Sequence, residues 1–508
     1  MGRVAGARKA ISPERMDTFD VIVIGGGNAG LCAALAAAEC EARVLLLERA
    51  PQELRGGNSF VTAGAFRFPY SGLDDIGELV RDRVLRTPEK IEIGRYGEED
   101  FLSDLQRVTQ SRSDPALGGA LVSQAFPTMK WLRQNGVEFT LAYDRQSFLV
   151  EGRHRFWGGL IVKVRGEGPE LVDTLYRACQ RRRVTIQYGA HATGLQREPG
   201  GSWRVQTVVN ERHWDYPGRA VVLACGGFEA NAEMRAAHLG PRWKPVKVRG
   251  TPFNTGDGIR MALAAGAQPF GDWSGCHAVA WDINAPDVNT RRVGQHYERD
   301  SYPLGIYVNT HGERFVDEGA DFRNYTYARY GQEIMRQPRQ IAFQIYDQKI
   351  VPLLKKPYTL PGTTRIEAGT WREVARQAGI EERGLERTVA EYNGAVNHSA
   401  FNPAIKDGKA APGLRPPKSN WAARLDVPPY VCFPVTCGIT FTYGGLRVTP
   451  EAAVVDGDGR PMPGLFACGE LIGGLFYHNY PGGSGLMAGA VFGRLAGTGA
   501  ARGGAPAG

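Results

Sequence analysis

The sequence lacks closely paired cysteines, long hydrophobic runs and extended basic runs. Its eight cysteines are scattered through 508 residues and none forms a CxxC pair. This argues against a disulfide framework, an iron–sulfur cluster or covalently attached haem, and we predict no metal site. No segment has the roughly 20 consecutive apolar residues that a membrane-spanning helix needs. The net charge is +8 but dispersed, the longest basic run being 181–183, so we expect no nucleic-acid partner.

A glycine-rich loop near the start of the chain joins a predicted strand to a predicted helix. The apolar run 19–24 precedes the loop, the small-residue helix 29–39 follows it, and a second apolar run covers 44–47. The loop glycines permit a tight turn and a close approach of the backbone to a pyrophosphate. Glu48 ends the second strand, where a carboxylate can accept hydrogen bonds from ribose hydroxyls. This βαβ unit predicts a dinucleotide site suited to NAD or FAD alike.

A second glycine-rich loop near the end of the chain favours FAD. It covers residues 480–485 and precedes a predicted helix, 486–495, whose amino end would direct its partial positive charge at a flavin ring. The segments 55–59, 221–227 and 464–470 supply further glycines at the ends of predicted strands. We therefore predict one FAD held by distant parts of the chain. The predicted FAD-binding residues are Gly25, Gly27, Asn28, Ala29, Gly30, Glu48, Arg49, Gly57, Asn58, Ser59, Gly64, Ala192, Ala224, Gly226, Gly469, Glu470, Gly483, Ser484, Gly485 and Leu486.

The length and the change of composition along the chain predict two domains in an α/β protein. We expect a discontinuous Rossmann-like FAD-binding domain, 17–232 and 427–500, with an inserted α+β capping domain, 233–426, and the ligand cleft between them. The basic, polar residues 1–16 and the tail 501–508 are expected to be disordered. We predict a cytoplasmic protein.

Five segments of the sequence resemble the succinate dehydrogenase and fumarate reductase flavoprotein superfamily and, within it, the tricarballylate dehydrogenases. They are VIVIGGGNAGLCAALAA, LLLERAPQELRGGNS, VVLACGGFEAN, GERFVDEGADFRNYTYARYG and GLFACGELIGGLFYHNYPGGSGLMAGAVFGRLAG. The resemblance implies that a hydride is exchanged between a flavin and a carbon beside a carboxylate or carbonyl, while a residue of the cap transfers a proton. It also implies a separate electron acceptor, with a membrane-bound iron–sulfur or haem protein, and hence a peripheral location at the inner membrane, as one alternative.

The same resemblance proposes four catalytic residues. Arg323 matches the proton-transferring arginine, and Glu298 matches an acid of the proton path, although Ser301 replaces the arginine expected three residues later. His277 lies near the position of a substrate histidine. Tyr480 stands where fumarate reductases have a carboxylate-binding arginine, and is similar to the tyrosine of 3-ketosteroid dehydrogenases that polarises a ketone.

The resemblance implies a tricarballylate-like polycarboxylate substrate, desaturated to a cis-aconitate-like product. Three alternatives remain open: a 3-ketosteroid-type enzyme, a fumarate-reductase-type enzyme, and a noncatalytic flavin-binding partner or sensor.

Because residues 60–68 contain no histidine, we predict noncovalent FAD. The oligomeric state is not readable from the sequence. Further candidates for carboxylate binding are Arg67, Arg153, His154, Arg155 and His478, and Arg299 is the candidate to compensate for the arginine that Ser301 replaces. Candidates for an apolar steroid site are Phe60, Phe66, Phe68, Tyr70, Trp273 and Trp281.

Overall fold

The computed structural model describes residues 18–82, 87–289, 291 and 294–503. The expected disordered leader, 1–16, lies outside these residues, as do residues 504–508 of the expected tail. The tail prediction began too early, because the last helix continues to Ala501. Within the described part of the chain, no helix is long and apolar enough to cross a membrane.

Twenty strands form the sheets of the described residues. They are β1 (Phe19–Ile24), β2 (Val44–Glu48), β3 (Ala65–Phe66), β4 (Ile91–Glu92), β5 (Phe139–Leu141), β6 (Ser147–Val150), β7 (Arg153–Phe156), β8 (Val162–Val164), β9 (Thr185–Tyr188), β10 (Ala190–Arg197), β11 (Trp203–Val209), β12 (Arg212–Leu223), β13 (Lys247–Val248), β14 (Pro269–Asp282), β15 (Ile306–Val308), β16 (Ala342–Tyr346), β17 (Ile366–Ala368), β18 (Tyr430–Leu446), β19 (Ala453–Val455) and β20 (Pro461–Ala467).

Thirteen α-helices accompany these strands in the same part of the chain. They are α1 (Asn28–Glu39), α2 (Gly57–Phe60), α3 (Leu73–Leu79), α4 (Glu98–Val108), α5 (Pro115–Gln134), α6 (Tyr143–Gln146), α7 (Glu167–Arg181), α8 (Ala232–His238), α9 (Asp257–Ala264), α10 (Tyr327–Arg336), α11 (Trp371–Ala378), α12 (Glu382–Ala395) and α13 (Ser484–Ala501).

The larger sheet has eight strands and a parallel centre. The parallel strands run in the order β20, β12, β1, β2 and β9, while β10 and β11 extend β12 as an antiparallel meander and β19 pairs with β20. Strands β1 and β2 are apolar and almost wholly buried, as expected where helices cover both faces of a parallel sheet. Their carboxyl ends, at Ile24 and Glu48, lie side by side at the edge where α/β proteins bind ligands.

The second sheet contains β13 to β18 and belongs to the inserted part of the chain. The long strand β18 pairs with β13, β14, β16 and β17, and β15 joins β16. We assigned residues 427–500 to the FAD-binding domain, but β18 extends the second sheet to Leu446. Among the described residues it pairs with no strand of the larger sheet. The predicted mixed α/β fold is confirmed.

Helices α1 and α13, from opposite ends of the chain, pack closely through small residues. A Cβ atom on Gly493 would lie 2.4 Å from the Ala29 carbonyl oxygen, and one on Gly497 would lie 2.1 Å from the Ala33 carbonyl oxygen. These distances are shorter than van der Waals contact, so only glycine permits this spacing between the helices. The close packing brings the amino ends of both helices, and the glycine-rich loops before them, to the same edge of the larger sheet.

Candidate functional site

A cavity of about 270 Å³ lies between the larger sheet and the second sheet. The first glycine-rich loop and Gly483 of the second loop line it at one end, whereas Tyr480 of the second loop lines it at the other end with residues of the second sheet and α10. The cavity therefore lies where the sequence predicted a cleft between a nucleotide-binding part and a cap.

Asn28 connects three separated segments at the loop end of this cavity. Its backbone N–H donates to Ser59 Oγ at 3.0 Å, and its side-chain amide donates to the Leu486 carbonyl at 2.9 Å. Residues separated by more than 450 positions are thus held together at the start of α1. The prediction that the two ends of the chain meet at one site agrees with this geometry.

Glu48 has the geometry of a ribose-binding carboxylate. It is buried at the end of β2, where its oxygens accept from the backbone N–H groups of Gly26 at 2.9 Å and Ala50 at 2.8 Å. Burial raises the pKa of this carboxyl above its ordinary value. Each carboxylate oxygen accepts two hydrogen bonds, so capacity remains for hydroxyl donors from the cavity. The donor set and the glycine loop at the start of α1 fit the nucleotide end of FAD.

The structure places 17 of the 20 predicted FAD-binding residues on the cavity wall. The three others support the wall from behind. Gly30 packs against Gly25, where a Cβ would lie 1.9 Å from the carbonyl oxygen, and Gly64 packs against Glu167 and Val164. The buried Ser484 hydroxyl donates to the Pro481 carbonyl within the second loop.

Two glutamates, the buried Glu229 and the partly buried Glu470, lie beside the predicted flavin position. Glu470 lines the cavity and accepts from the Thr442 backbone N–H at 2.9 Å, while Glu229 accepts from the Asn58 and Asn254 amides at 2.7 Å each. The Asn254 amide also donates to Glu470 at 3.4 Å. Burial raises the pKa of both carboxyls, and the neighbouring Glu229 carboxyl raises that of Glu470 further.

Aromatic rings and a histidine form one wall of the other end of the cavity. Tyr327 and Tyr480 share a hydrogen bond through their hydroxyl groups, and Phe441 packs edge-on to Tyr480. His277 lies against all three rings. Burial lowers the pKa of His277 well below its ordinary value, so its imidazole is neutral. Neither ring nitrogen of His277 has a hydrogen-bond partner among the described residues.

Three arginines and Glu298 line the cavity close to these rings, and Asp300 lies directly behind Arg323. Glu298 accepts from Arg145 at 2.6 Å and from Arg249 at 3.0 Å, while Asp300 accepts from Arg323 at 2.5 Å and lies 3.5 Å from Arg145. Burial alone would raise the pKa of Glu298, but the charges of the three arginines lower it to about 2. Three positive and two negative charges leave this network with one net positive charge.

All four predicted catalytic residues, Arg323, Glu298, Tyr480 and His277, line the cavity. Sequence reasoning missed Arg145 and Arg249, which follow no motif and reach the cavity only through the tertiary fold. The cavity wall contains none of the additional candidates for carboxylate binding, Arg67, Arg153, His154, Arg155 and His478. It also lacks Arg299 and the steroid-site candidates Phe60, Phe66, Phe68, Tyr70, Trp273 and Trp281.

Two of these arginines have structural partners instead. Arg67 is fully buried and donates to the Gly482 carbonyl and to the hydroxyls of two tyrosines. Arg299 donates to Asp282 at 2.7 Å and to backbone carbonyls, so it does not take the place of the arginine that Ser301 replaces. Arg145 instead reaches the acids of the expected proton path.

Comparison with known proteins identifies the class of this molecule. The model of the FAD binding domain family matches residues 20–486. The chain therefore belongs to this family of FAD-binding proteins. A probable fumarate reductase of Shewanella frigidimarina (strain NCIMB 400) is 30% identical over 505 residues, covering 97% of this chain and 77% of the relative. The urocanate reductase of Eggerthella lenta is 27% identical, covering 96% and 76%.

A solved structure of a fumarate reductase is also similar to this chain. The open conformation of a flavocytochrome c3 fumarate reductase aligns with a TM-score of 0.70 at 26% identity, covering 96% of this chain and 79% of that chain. The molecule is an FAD-dependent oxidoreductase of the fumarate reductase and succinate dehydrogenase superfamily that acts on carbon–carbon bonds. This excludes the noncatalytic flavin-binding alternative. Neither relative is a tricarballylate dehydrogenase, so that part of the resemblance has no support from them.

Proposed function

We propose that the enzyme interconverts an unsaturated acid and its saturated counterpart. In the unsaturated acid, one carboxylate is conjugated to the carbon–carbon double bond, and the molecule also carries a flat, apolar substituent. The observation that carries this proposal is the composition of the cavity. Its lining combines the arginines and Glu298 of a network with one net positive charge, to which Asp300 also belongs, with aromatic rings and a neutral histidine. Bound FAD, held by the residues around Asn28 and Glu48, would supply the hydride chemistry.

Unpartnered donors favour a carboxylate at the charged wall. Arg249 donates through its terminal nitrogens to Gln295 at 2.6 Å, Glu298 at 3.0 Å and Thr440 at 3.2 Å. Its buried Nε atom has no partner among the described residues, and both nitrogens of His277 are also unpartnered. Buried polar groups are normally hydrogen-bonded, so these atoms are suited to a carboxylate oxygen of the substrate.

Arg323 is suited to transfer a proton to or from the carbon next to the carboxylate. Arginine is protonated in water at ordinary pH, so a role in proton transfer requires a buried site and an acidic partner. Arg323 is 8% exposed, lines the cavity and donates to Asp300. In the reductive direction Arg323 gives a proton to that carbon, and Asp300 stabilises the position of the guanidinium.

A polycarboxylate is the second candidate, because three guanidinium groups converge on the cavity. Tricarballylate would require cationic partners for three carboxylates, whereas Glu298 and Asp300 already neutralise two of the three arginine charges. A dicarboxylate such as fumarate would need cationic partners for two carboxylates, fewer than tricarballylate and more than a monocarboxylate. The net charge therefore favours a single carboxylate, and the aromatic wall favours a flat apolar group beside it.

Electrons are proposed to reach or leave the flavin through a separate protein. None of the eight cysteines is disulfide-bonded in the structure, and no CxxC pair is available for haem or an iron–sulfur cluster. Noncovalent attachment of FAD and a cytoplasmic location stay predictions.

A substrate panel tests the proposed function. The holoenzyme, with its flavin reduced anaerobically by dithionite, is mixed separately with cinnamate, urocanate, fumarate, cis-aconitate and a 3-ketosteroid enone, and the return of oxidised flavin absorbance is followed. We expect cinnamate or urocanate to reoxidise the flavin at lower concentrations than fumarate or cis-aconitate. Reoxidation by cis-aconitate alone, with bleaching of oxidised enzyme by tricarballylate, would establish the polycarboxylate candidate instead.

The variant Arg249→Lys tests the carboxylate-binding residue. Lysine keeps a positive charge beside Glu298 but lacks the Nε donor and the planar fork. We expect KM for the preferred acid to rise about 10-fold or more, with a smaller change in kcat, because the lost contact is made in the ground state and the transition state alike. Steady-state kinetics measure both constants. An unchanged KM would show that the carboxylate binds elsewhere.

A further inference from the structure

A second, smaller cavity lies on the far side of Arg323. Its volume is about 40 Å³, which accommodates roughly one to three water molecules and no substrate. Asp300, Arg323 and Lys355 contribute charged groups to its wall. Arg323 lines both this cavity and the larger one, so the guanidinium separates the two spaces.

Asp300 connects Arg323 to the second cavity. Its Oδ2 atom accepts from Arg323 Nη1 at 2.5 Å. Its Oδ1 atom is buried and has no hydrogen-bond partner among the described residues, although the side chain lines the cavity. The carboxyl group is 5% exposed. An oxygen in this position can accept a hydrogen bond from water in the cavity, since buried acceptors are normally satisfied.

Lys355 lies at the outer end of the same cavity. Its ammonium group is 4.5 Å from the centre of the Phe148 ring, and its backbone N–H donates to Ser301 Oγ at 3.1 Å. The side chain is partly exposed, in contrast to Asp300. Burial of the ammonium group, together with the charge of Arg323, lowers the pKa of Lys355 to about 8. Lys355 can therefore gain and lose a proton near neutral pH. The charged groups that face it are Arg323, Asp300, Arg145 and Asp144.

We propose that the second cavity is a proton relay, in which Lys355 and Asp300 exchange protons between solvent and Arg323. The inference rests on the proposed function, because the relay supplies the proton that Arg323 transfers to the substrate carbon in that reaction. It does not depend on which acid is the substrate. The relay also uses residues different from those that the sequence resemblance implied, since Ser301 replaces the arginine of that path and Arg299 is bound elsewhere.

The relay balances in the reductive direction. Arg323 gives one proton to the substrate carbon and becomes neutral. The cavity water gives a proton to Asp300 Oδ1 and regains one from the Lys355 ammonium. Rotation of the protonated carboxyl group then presents this proton to the neutral guanidine, which restores the Arg323 guanidinium and the Asp300 carboxylate. Lys355 is then reprotonated from solvent. One proton enters for each proton delivered, and no further oxidant or reductant is required.

The test compares Lys355→Met with Lys356→Met in the holoenzyme. Lys356 is exposed and adjacent in sequence, and it lines neither cavity. Reduction of cinnamate, urocanate, fumarate and cis-aconitate is assayed with reduced methyl viologen from pH 6 to pH 10. For Lys355→Met we expect kcat to fall about 10-fold on the best substrate while KM is unchanged, because proton supply affects turnover and not binding.

The pH profile separates a relay from a structural effect. In the parent enzyme kcat should decline above about pH 8, where Lys355 loses its proton. Lys355→Arg retains the charge and the packing but stays protonated, so its decline should move to higher pH. If Lys355→Met folds poorly, as shown by loss of flavin or a lower Tm, the pH profile of kcat in Lys355→Arg still tests the relay. Parent-like kcat and pH profiles in both variants overturn the relay alone, whereas a parent enzyme inactive on all four acids overturns the proposed function.

Discussion

Replacing Arg323 with lysine is expected to lower kcat by about 100-fold or more while flavin and substrate remain bound. Lysine keeps one positive charge near Asp300, but it cannot reach both the carboxylate and the reacting carbon with a planar fork. Stopped-flow reoxidation of the reduced enzyme measures the chemical step directly. Perturbation of the oxidised flavin spectrum measures substrate binding separately.

The matched control for this variant is Arg329→Lys. Arg329 lies on α10, a few residues after Arg323, and pairs with Glu333 on a partly exposed surface. We expect its kcat to be unchanged. Near-parent turnover in Arg323→Lys would remove Arg323 from proton transfer, and a parallel loss of bound flavin would show a structural role instead.

Replacing Glu298 with glutamine is expected to destabilise the protein by about 3 kcal/mol or more. Glu298 is 1% exposed and accepts from Arg145 and Arg249, whose side chains are themselves 15% and 9% exposed. Removing the charge leaves the Arg249 guanidinium buried without its ionic partner and leaves Arg145 with only the more distant Asp300, which costs more than the loss of an exposed ion pair. Chemical denaturation followed by tryptophan fluorescence measures the change.

Glu333→Gln provides the control, because Glu333 also accepts from two arginines. Those arginines, Arg329 and Arg336, have side chains 41% and 63% exposed, so we expect a loss of less than about 1 kcal/mol. The net charge of the cavity network also rises from one to two in Glu298→Gln. Affinity for fumarate relative to cinnamate should therefore increase. Equal destabilisation by both variants would contradict the role assigned to the buried network.

The lowered pKa of Glu298 also predicts a pH dependence. A carboxyl whose pKa is depressed in the folded state contributes stability that is present above its ordinary pKa. This contribution is lost as the pH falls toward the folded value of about 2. The difference in unfolding free energy between parent and Glu298→Gln should therefore shrink between about pH 4.5 and pH 2.

The sequence was most informative where function depends on local backbone geometry. Strand β1 and the loop before α1 were predictable, because apolar periodicity and glycine spacing are properties of adjacent residues. The meeting of the two chain ends followed from the requirement that one dinucleotide contact both loops. Arg323 and Glu298 were found only because neighbouring residues resemble a known superfamily.

The remaining features depend on tertiary structure and had no local signal. Arg249 follows the two-residue strand β13, and Arg145 lies on the four-residue helix α6; neither element is distinguishable from a loop by its sequence. Strand β18 is apolar, and an apolar run is compatible with either sheet, so the domain boundary at 427 was placed too early. The pairing of buried acids with the arginines, which sets the net charge of the cavity, is likewise a property of the fold alone.

The most direct test of the account is a crystal structure of the FAD-bound enzyme with 3-phenylpropionate, the saturated counterpart of cinnamate. We predict that its carboxylate lies within hydrogen-bond distance of Arg249 Nε and His277, with the phenyl ring against Phe441 and Tyr480. The Arg323 guanidinium should face the carbon next to the carboxylate. A carboxylate bound away from Arg249, or an Arg323 side chain turned from the ligand into the second cavity, would contradict the proposed arrangement.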